Sequence, residues 1–295
     1  MANINIQFTR FSAFYTPLIF TKSGGFLKDE GLDAFFAVAN PGKSAIDALM
    51  DGSAQLVQSA LFQGLSTIEK GQKSKIVHFA QINEKDGFFI TGRIKDKNFE
   101  WNKLIGKNVI VDHGTQPLAM FKYACHKAGI NYNDIGIINA GNEKQMDAAF
   151  RKGIGDFIHQ QGPAPQQLEF DGIGFVLASV GKMIGECGFS SLAATPEWLE
   201  TDMADSFLRA YEKARIYINE VPASEIAASE KSFFPDIEQT VLEKAIESYQ
   251  NLGCWTPHIE ITKSAYEATL DIFEYVGLIT KRYSYENCCT LISSK

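Results

Sequence analysis

The stretch PGKSAIDALMDGSAQLVQSALFQGLSTIEKG, residues 41–71, decides the fold class of this chain. Ser44 is a typical N-cap for a helix over 45–50, and a glycine follows where that helix should stop. A short apolar strand is predicted at 55–58, and a second helix over 61–69. Helices and strands that alternate at this length predict an α/β fold with mostly parallel sheets flanked by helices.

The same alternation continues on both sides of this stretch. Residues 3–8 alternate polar and apolar side chains, as a half-buried strand does. Pro17 stands near the start of a predicted helix over 16–27, where proline is tolerated. Further strands are predicted over 32–38 and 75–81. This part of the chain therefore predicts one sheet with helices between its strands.

A second passage repeats this pattern at an offset of about 100 residues, which indicates an internal duplication. The dipeptides Pro17-Leu18 and Asp47-Ala48 reappear as Pro117-Leu118 and Asp147-Ala148. Two such halves predict a two-lobed fold with a small-molecule cleft between the lobes, beyond the carboxyl ends of the strands. The predicted elements of the second passage are strands over 108–111, 135–139 and 156–159, and helices over 117–129 and 142–150.

The remainder of the chain reads as helical, with apolar side chains at helical spacing. We expect these helices to complete the first lobe, which is then discontinuous in sequence. The predicted helix starts are Thr201 or Asp202, Pro235, and Thr262. The predicted division assigns residues 1–91 and 186–295 to the first lobe and residues 92–185 to the second.

Composition excludes several classes of function. The chain has 295 residues, of which 45% are hydrophobic and 21% charged, and its formal net charge is −7. Its length suits two domains of roughly 100–150 residues each. Basic residues are scattered and the net charge repels phosphates, so no nucleic-acid partner is expected. No segment approaches the roughly 20 apolar residues of a membrane span, so no membrane insertion is expected.

The N-terminal run MANINIQFTRFSAFYTPLIF has no basic leader before an apolar segment. The chain is therefore expected to be cytoplasmic as written, and periplasmic if a leader was removed before this numbering. Five cysteines, including the adjacent Cys288 and Cys289, are too few and odd in number for a disulfide framework. Nucleotide-binding, zinc and hydrolase motifs are absent. We expect no catalytic residue, no metal site and no cofactor.

Two segments resemble the SsuA/THI5-like (NMT1) family. They are GGFLKDEGLDAFF at 24–36, which leads into the stretch quoted above, and GCWTPHIEITKSAYEATLDIFEYVGLI at 253–279. That family includes ABC transporter substrate-binding proteins for nitrate, taurine, alkanesulfonates and thiamine pyrimidines. The resemblance covers most of the chain. It implies a periplasmic-binding-protein-like (type II) fold, a small-molecule ligand and an ABC transporter permease as a partner.

The family also contains an enzyme branch, the THI5 pyrimidine synthases, which bind pyridoxal phosphate through a lysine and consume a histidine. Alignment on the shared glycines places the lysine position at Ser59 and the histidine position at Gln63. A serine cannot form a Schiff base, because that reaction needs an amine. The cysteine-rich CCCFC motif of the synthases corresponds to Glu186-Cys187-Gly188-Phe189-Ser190 here. These departures argue against synthase activity and leave the binding of a related pyrimidine open.

Candidate ligand contacts come from the loops that follow the strands in both halves, and from the segment that returns to the first lobe. Arg10 can pair with an anionic group, and Phe11 and Tyr15 can stack on a flat ring. Glu186 can accept hydrogen bonds from an aminopyrimidine. The predicted binding residues are Arg10, Phe11, Ser12, Tyr15, Thr16, Ser59, Ala60, His113, Thr115, Gln116, Gln160, Gln161, Glu186 and Phe189.

Together these features predict a solute-binding protein that closes on a small organic ligand. A thiamine-pyrimidine precursor is the first candidate, and an alkanesulfonate or taurine-like anion is the second. Two alternatives stay open. One is a pyrimidine (HMP-P) synthase of thiamine biosynthesis, and the other is a cytoplasmic sensor or salvage protein that keeps the binding fold without a transporter.

Overall fold

The computed structural model describes residues 1–40 and 44–292, so residues 41–43 of the stretch quoted above lie outside the described residues. Ten strands in the described part of the chain form two five-stranded sheets. The strands are β1 (Ala2–Phe8), β2 (Leu32–Val38), β3 (Leu56–Ser59), β4 (Val77–Asn83), β5 (Phe88–Gly92), β6 (Asn108–Ile110), β7 (Gly136–Ile138), β8 (Phe157–Gln161), β9 (Phe175–Ser179) and β10 (Ser190–Ala194).

Thirteen α-helices accompany these strands within the same described ranges. They are α1 (Thr16–Ser23), α2 (Phe26–Asp29), α3 (Ala45–Met50), α4 (Leu61–Glu69), α5 (Thr115–Lys127), α6 (Glu143–Arg151), α7 (Ala164–Phe170), α8 (Val180–Ile184), α9 (Pro196–Leu199), α10 (Asp202–Glu220), α11 (Ala223–Glu230), α12 (Gln239–Leu252) and α13 (Lys263–Tyr275). In the described part of the chain, no helix combines the length and the apolar character that a membrane crossing needs.

The two sheets share one strand order. The first is β2-β1-β3-β10-β4 and the second is β7-β6-β8-β5-β9, so β6 to β9 repeat the places of β1 to β4. In each sheet four strands run in one direction, and a single strand, β10 or β5, runs antiparallel between its two neighbours. The reversed strand is in both cases the one that the chain enters as it crosses from the other sheet.

The chain crosses between the sheets twice. It leaves the first sheet after Asn83 and enters the second at Phe88, and it returns after α8 to reach Ser190. The lobe boundaries predicted from the sequence, at 91/92 and 185/186, stay a prediction. The strand β5 already belongs to the second sheet, so the outward crossing itself lies in residues 84–87.

The hydrophobic core is continuous from one sheet to the other. The largest cluster contains Ile4 and Phe8 of β1 together with Val109 of β6 and Phe121 of α5. Two smaller clusters cover the second face of each sheet, around Val57 in the first and around residues of β6 and β8 in the second. Each sheet is therefore packed on both faces, and this packing holds its strand ends in place.

Two helix predictions were wrong: one predicted helix is split in two, and another begins later than predicted. The helix predicted over 16–27 is split into α1 and α2, because Gly25 adopts a φ of +85° that favours glycine and breaks the helix. The helix predicted to start at Pro235 begins at Gln239. Residues after Phe234 form a turn in which the Ile237 N–H donates to the Phe234 carbonyl at 3.1 Å.

The C-terminal helices pack on the first sheet. Helix α10, capped by Thr201, directs Phe207 and Tyr211 towards β4, where the Tyr211 hydroxyl donates to the Gln81 carbonyl at 2.6 Å. The fully buried Arg215 donates to the carbonyls of Gln81 and Ile82 at 3.1 and 3.0 Å. These contacts hold the edge of the first sheet beside the start of the outward crossing.

Candidate functional site

The strand ends of the two sheets enclose a small cavity of about 180 Å³. Residues after β1 and β3 form one wall, and the start of α5 with the end of β8 forms the other. The volume is below the roughly 300–1,000 Å³ of drug-sized pockets, which restricts any ligand to a small molecule. The lining residues are Thr9, Arg10, Tyr15, Gln58, Ala60, Phe62, Gln63, Thr115, Gln116, Pro117, Gln161, Phe189 and Ser190.

Two helices begin at this cavity without a side-chain cap. Helix α4 follows Ala60 and helix α5 follows Gly114, and neither preceding residue caps its helix with a side chain. Phe62, Thr115 and Gln116, in the first turns, line the cavity. First-turn N–H groups lack intrahelical partners and carry the positive end of the helix dipole. The cavity therefore offers backbone donors from both lobes.

Arg10 is the one cationic side chain among the described residues that line the cavity, and it is already paired. Its Nη1 donates to Asp112 Oδ2 at 2.8 Å, and its Nε lies 3.1 Å from Glu143 Oε1. Burial opposes the charge of Arg10, but the two carboxylates outweigh it and raise the pKa of Arg10. The pair joins a loop of the first sheet to the second and leaves the wall with little net positive charge.

Three further hydrogen bonds join the two sides of the cleft. The Ser12 hydroxyl donates to the Gly162 carbonyl at 2.6 Å, and the Gly162 N–H donates to the Tyr249 hydroxyl at 2.7 Å. On the opposite side, Gln116 Nε2 donates to the Phe189 carbonyl at 2.5 Å. All of these groups are buried. The structure therefore has the lobes closed on each other.

The cavity wall is rich in amide side chains, and two of their oxygens are buried without a partner. Gln58 is satisfied, since its Oε1 accepts from the Thr9 N–H at 3.0 Å and from the Thr9 hydroxyl. Gln116 Oε1 and Gln161 Oε1 have no hydrogen-bond partner in the described structure. Burial raises the pKa of Tyr15, which keeps its phenol neutral beside Gln161. Both residues line the cavity, and their amide oxygens are uncharged acceptors whose hydrogen-bonding capacity is unused in the described structure.

The structure brings half of the predicted binding residues to the cavity wall. These residues come from the loops after β1 and β3, from the start of α5, from the end of β8 and from the return segment. They are Arg10, Tyr15, Ala60, Thr115, Gln116, Gln161 and Phe189. Their part in ligand binding stays a prediction.

Four predicted residues of the first half lie outside the cavity lining. Phe11 packs on the ring of Phe233, with ring centroids 5.8 Å apart. Ser12 caps the short 3₁₀ turn Ala13–Tyr15 and holds Gly162 as described above. The buried Thr16 hydroxyl donates to Glu230 Oε2 at 2.9 Å. Ser59 donates to the side chain of the residue one helical turn later. In the structure these side chains hold the loops in place.

Three predicted residues of the second half and the return segment also lie outside the lining. His113 Nδ1 lies 2.7 Å from the Val111 carbonyl oxygen. Gln160 is 4% exposed, and both polar atoms of its amide lack partners in the described structure. Glu186 is exposed and accepts from the hydroxyls of Thr262 and Ser264 at the start of α13.

Six lining residues were not among the predicted binding residues: Thr9, Gln58, Phe62, Gln63, Pro117 and Ser190. One of them carried a usable signal. Gln58 is a polar residue near the end of a short, otherwise apolar strand, and such a residue needs a buried partner. The others depend on which loops meet across the two sheets, and this is not visible in a local pattern.

The two positions that the sequence resemblance aligns with the synthase lysine and histidine, Ser59 and Gln63, form a hydrogen-bonded pair. The Ser59 hydroxyl donates to Gln63 Oε1 at 2.6 Å. The side chains that line the cavity in the described structure include no lysine and no histidine. The residues present therefore do not fit a cofactor held as a Schiff base, which needs a lysine amine.

Comparison with known proteins agrees with this architecture. Residues 13–225 match the family model described as NMT1/THI5 like. The chain is 26% identical over 97% of its length to "Putative binding protein YtlA" of Bacillus subtilis (strain 168), of which it covers 86%.

Solved structures give the same result for the fold. The periplasmic aliphatic sulphonate binding protein SsuA of Escherichia coli superposes with a TM-score of 0.75 at 16% identity, over 100% of this chain and 95% of that one. The periplasmic nitrate-binding protein NrtA of Synechocystis PCC 6803 gives a TM-score of 0.69 at 14% identity, over 97% and 84%. At these identities the likeness establishes the periplasmic-binding-protein fold and does not transfer a ligand.

Proposed function

The chain belongs to the NMT1/THI5-like family, and from this premise we propose that it is the substrate-binding protein of an ABC-type import system. It closes two lobes over one small organic molecule and delivers that molecule to a membrane permease. The names of the relatives support a binding function, since SsuA and NrtA are periplasmic binding proteins for aliphatic sulphonates and for nitrate. Delivery to a permease places the protein outside the cytoplasm, and this location is part of the proposal.

The observation that carries the ligand proposal is the polarity of the cavity wall. Gln116 Oε1 and Gln161 Oε1 are unpartnered acceptors, whereas the cation Arg10 is already held by two carboxylates. An alkanesulfonate would have to compete with Asp112 and Glu143 for the guanidinium. A neutral ring with an exocyclic amine satisfies the amide oxygens instead, because amines donate and sulfonates do not.

The aromatic side chains on the wall support a flat ligand. Tyr15, Phe62 and Phe189 line the cavity, and aromatic faces stack on planar heterocycles. The uncapped N-termini of α4 and α5 supply N–H donors for ring nitrogens or for a hydroxyl group. An aminopyrimidine of the thiamine-precursor class has both kinds of group on one planar ring. We place it ahead of an alkanesulfonate or taurine-like anion.

Isothermal titration calorimetry with 4-amino-5-hydroxymethyl-2-methylpyrimidine, taurine and nitrate tests this order. We expect the aminopyrimidine to bind with a single site per chain and the two anions to bind at least about 100-fold more weakly, as expected for a polar site left with unpaired groups. Saturable binding of taurine or nitrate in place of the pyrimidine would refute the ligand assignment. Failure of all three, together with no co-purified small molecule in native mass spectrometry, would count against the binding function itself.

The variant Gln161→Met removes one unpartnered acceptor and keeps the side chain about the same length. We expect it to weaken aminopyrimidine binding about tenfold, because the ligand amine loses one hydrogen bond. Gln239→Met at the exposed start of α12 is the matched control and should leave the affinity unchanged. Equal affinity of the wild type and Gln161→Met would show that this oxygen does not face the ligand.

A pyrimidine synthase is the enzymatic alternative, disfavoured by Ser59 and Gln63. It predicts a lysine imine with pyridoxal phosphate, visible by absorbance and trapped by borohydride. A stoichiometric lysine adduct would favour the enzyme. Its absence, together with ligand binding, would leave the transport function.

A further inference from the structure

A second polar cluster lies outside the cleft, beneath α4. His78 of β4 is fully buried, and its Nδ1 lies 2.7 Å from Ser191 Oγ. Its Nε2 has no conventional hydrogen-bond partner in the described structure and faces the sulfur of Cys288. A β-carbon added to Gly64 would lie 2.9 Å from both Nε2 and the Cys288 sulfur, so these two atoms share one small space. The glycine in α4 leaves room for an imidazole and a thiol.

The next residue, Cys289, connects this cluster to the protein surface. Cys289 is 3% exposed and lies on the wall of an outer groove of about 850 Å³. Exposed or half-exposed residues such as Gln72, Glu286 and Thr290 form other parts of the groove wall. Of the two cysteines, Cys289 is the one that borders this groove, and the adjacent Cys288 is 1% exposed.

The C-terminal segment that carries both cysteines is bound to the edge of the first sheet. The His78 N–H donates to the Cys288 carbonyl at 2.9 Å, and the Thr290 N–H donates to the His78 carbonyl at 3.0 Å. These bonds add the segment alongside β4, the outermost strand of its sheet. The backbone of the cysteine pair is therefore part of the covering of that edge.

The surroundings make one of the five thiols chemically distinct. A hydrogen bond from the Cys289 thiol, assisted by His78, lowers the pKa of Cys288 against the opposing effect of burial. Burial raises the pKa of Cys289. Burial also raises the pKa of Cys125, to about 12, and it raises the pKa values of Cys187 and Cys254 further. Because the thiolate is the nucleophile of cysteine chemistry, Cys288 is the residue prepared to react.

We propose that Cys288 and Cys289 form a peroxide-oxidisable dithiol, with His78 as the base that accepts the Cys288 proton. The Cys288 thiolate attacks one oxygen of hydrogen peroxide, and the O–O bond breaks to give a sulfenic acid and hydroxide, which takes up a proton as water. The Cys289 thiol then attacks the sulfenic sulfur and displaces a second water. Two thiols lose two electrons and two protons in total, and one peroxide becomes two waters.

Oxidation has a structural consequence at the sheet edge. Neighbouring Cα atoms across a trans peptide are about 3.8 Å apart, whereas disulfides usually join Cα atoms roughly 4.4–6.8 Å apart. A bridge between adjacent cysteines therefore changes the backbone of residues 288–289. That backbone supplies the carbonyl that His78 binds. The oxidised pair releases the C-terminal segment from β4, and reduction restores the contact.

A metal centre is the other use of neighbouring thiols and an imidazole, and the geometry does not favour it. In the described ranges, no group of three or more His, Cys, Asp and Glu side chains is arranged to hold a metal ion. The two thiols and the imidazole do not form such a group. Redox chemistry between the two sulfurs is therefore the better explanation of the cluster.

Peptide mass spectrometry on the intact purified protein tests the proposal directly. Both cysteines fall in one tryptic peptide, residues 283–295, which contains no other cysteine. After hydrogen peroxide treatment and alkylation, we expect this peptide to be unalkylated and lighter by two hydrogens, and to recover both alkylation sites after reduction. Cys125 provides the internal control and should stay a thiol, because burial raises its pKa. Full alkylation of the peptide, or sulfinic acid without a disulfide, would overturn the proposal.

Two variants separate the roles of the residues. His78→Asn keeps a hydrogen-bonding group towards Ser191 and removes Nε2, and we expect it to slow oxidation about tenfold through loss of thiolate. Cys289→Ser should stop at the sulfenic acid, which dimedone traps on Cys288. Thermal melts confirm that each variant is folded. An unchanged oxidation rate in folded His78→Asn would exclude His78 as the base. Absence of a dimedone adduct on Cys288 in folded Cys289→Ser would exclude Cys288 as the attacking thiol.

Discussion

The ends of β3 and β8 occupy equivalent places in two sheets of the same strand order, yet their polar side chains differ in one respect. At the end of β3, Gln58 is bonded to Thr9 and Ser59 is bonded to the following helix. At the end of β8, both ring nitrogens of His159 and both amide atoms of Gln160 are buried without partners in the described structure. The duplicated backbone therefore supports two different surfaces.

The difference indicates a division of labour between the lobes. Polar groups that are satisfied within the protein hold a loop in one position, as the end of β3 does. Buried polar groups without partners carry a free-energy cost until water or a ligand pairs with them. Gln161, which follows this unsatisfied set, lines the cavity, and its Oε1 is also buried without a partner in the described structure. In this comparison the first lobe supplies a preformed wall and the second supplies the unmet hydrogen-bonding capacity.

The largest expected effect comes from cutting the ion pair that ties the two halves together. Arg10→Met leaves Asp112, whose side chain is 9% exposed, without its counter-charge. We expect a loss of about 3 kcal/mol in the free energy of unfolding, as for a buried pair deprived of one partner. Denaturant unfolding at pH 7 measures it.

Arg151→Met is the matched control for Arg10→Met. Like Arg10, Arg151 binds two carboxylates, those of Asp147 and Asp171, but all three side chains are about 30% exposed. We expect it to cost less than about 1 kcal/mol. Similar losses for the two arginines would contradict the view that Arg10 is a buried tie between the lobes.

The wild-type pair also has a pH signature. Burial opposes the ionisation of Asp112, but Arg10 and the Gly114 N–H hold its pKa below the usual range. A carboxyl with a lowered folded pKa stabilises the protein above its ordinary pKa, and this contribution is lost as the pH falls through the lowered value. In Arg10→Met, the free energy of unfolding at neutral pH should lack that contribution.

The second-largest expected effect is on the pH dependence of stability and comes from His159 in β8, where buried polar groups lack partners in the described structure. Burial lowers the pKa of His159 to about 3, partly offset by Asp112. Between its ordinary pKa near 6.5 and this value the unfolded chain binds a proton that the folded chain excludes, so this residue destabilises the protein as the pH falls. From pH 6.5 to pH 5 the loss is about 2 kcal/mol for one such group.

His159→Phe tests this contribution, because a phenyl ring keeps the contacts with Phe88 and Phe121 but does not titrate. Relative to wild type, we expect the variant to retain about 2 kcal/mol more of its pH 6.5 stability at pH 5. The test uses the difference between the free energies of unfolding of the two proteins at each pH. Burial raises the pKa of Asp86 to about 8, and this contributes the opposite slope in both proteins. Parallel stability curves for the two proteins would mean that His159 is protonated in the folded state.

The order of the elements was predictable from the sequence because local signals mark it. Strand β2 and helices α3 and α4 have the predicted boundaries, since capping residues, glycines and apolar periodicity mark them within a few residues. The antiparallel strands β5 and β10 were not predicted. Their partners are far away along the chain, and a local pattern does not encode which strand an apolar run will pair with.

The site was predictable as a set of loops but not as a set of contacts. Strand-end loops are where such a fold binds ligands, and this rule led to Tyr15, Thr115 and Gln161. The pairing of Arg10 with Asp112, which are 102 positions apart, changes the expected role of that arginine from anion contact to tie between lobes. Only the packed structure reveals that the charge is already compensated.

The smallest expected effects compare the two strand ends directly. Gln58→Met removes the acceptor of the Thr9 N–H and hydroxyl and leaves both without their buried partner. We expect it to cost about 1–2 kcal/mol in denaturant unfolding, because a buried donor loses its partner. Gln160→Met makes the same change at the equivalent end of β8, where neither amide atom has a partner in the described structure. It should be neutral or stabilising within about 0.5 kcal/mol, since no bond is lost and a buried polar group is removed. Equal losses at both sites would mean that buried water satisfies Gln160 as Thr9 satisfies Gln58, and the two strand ends would then differ only in which partner they use.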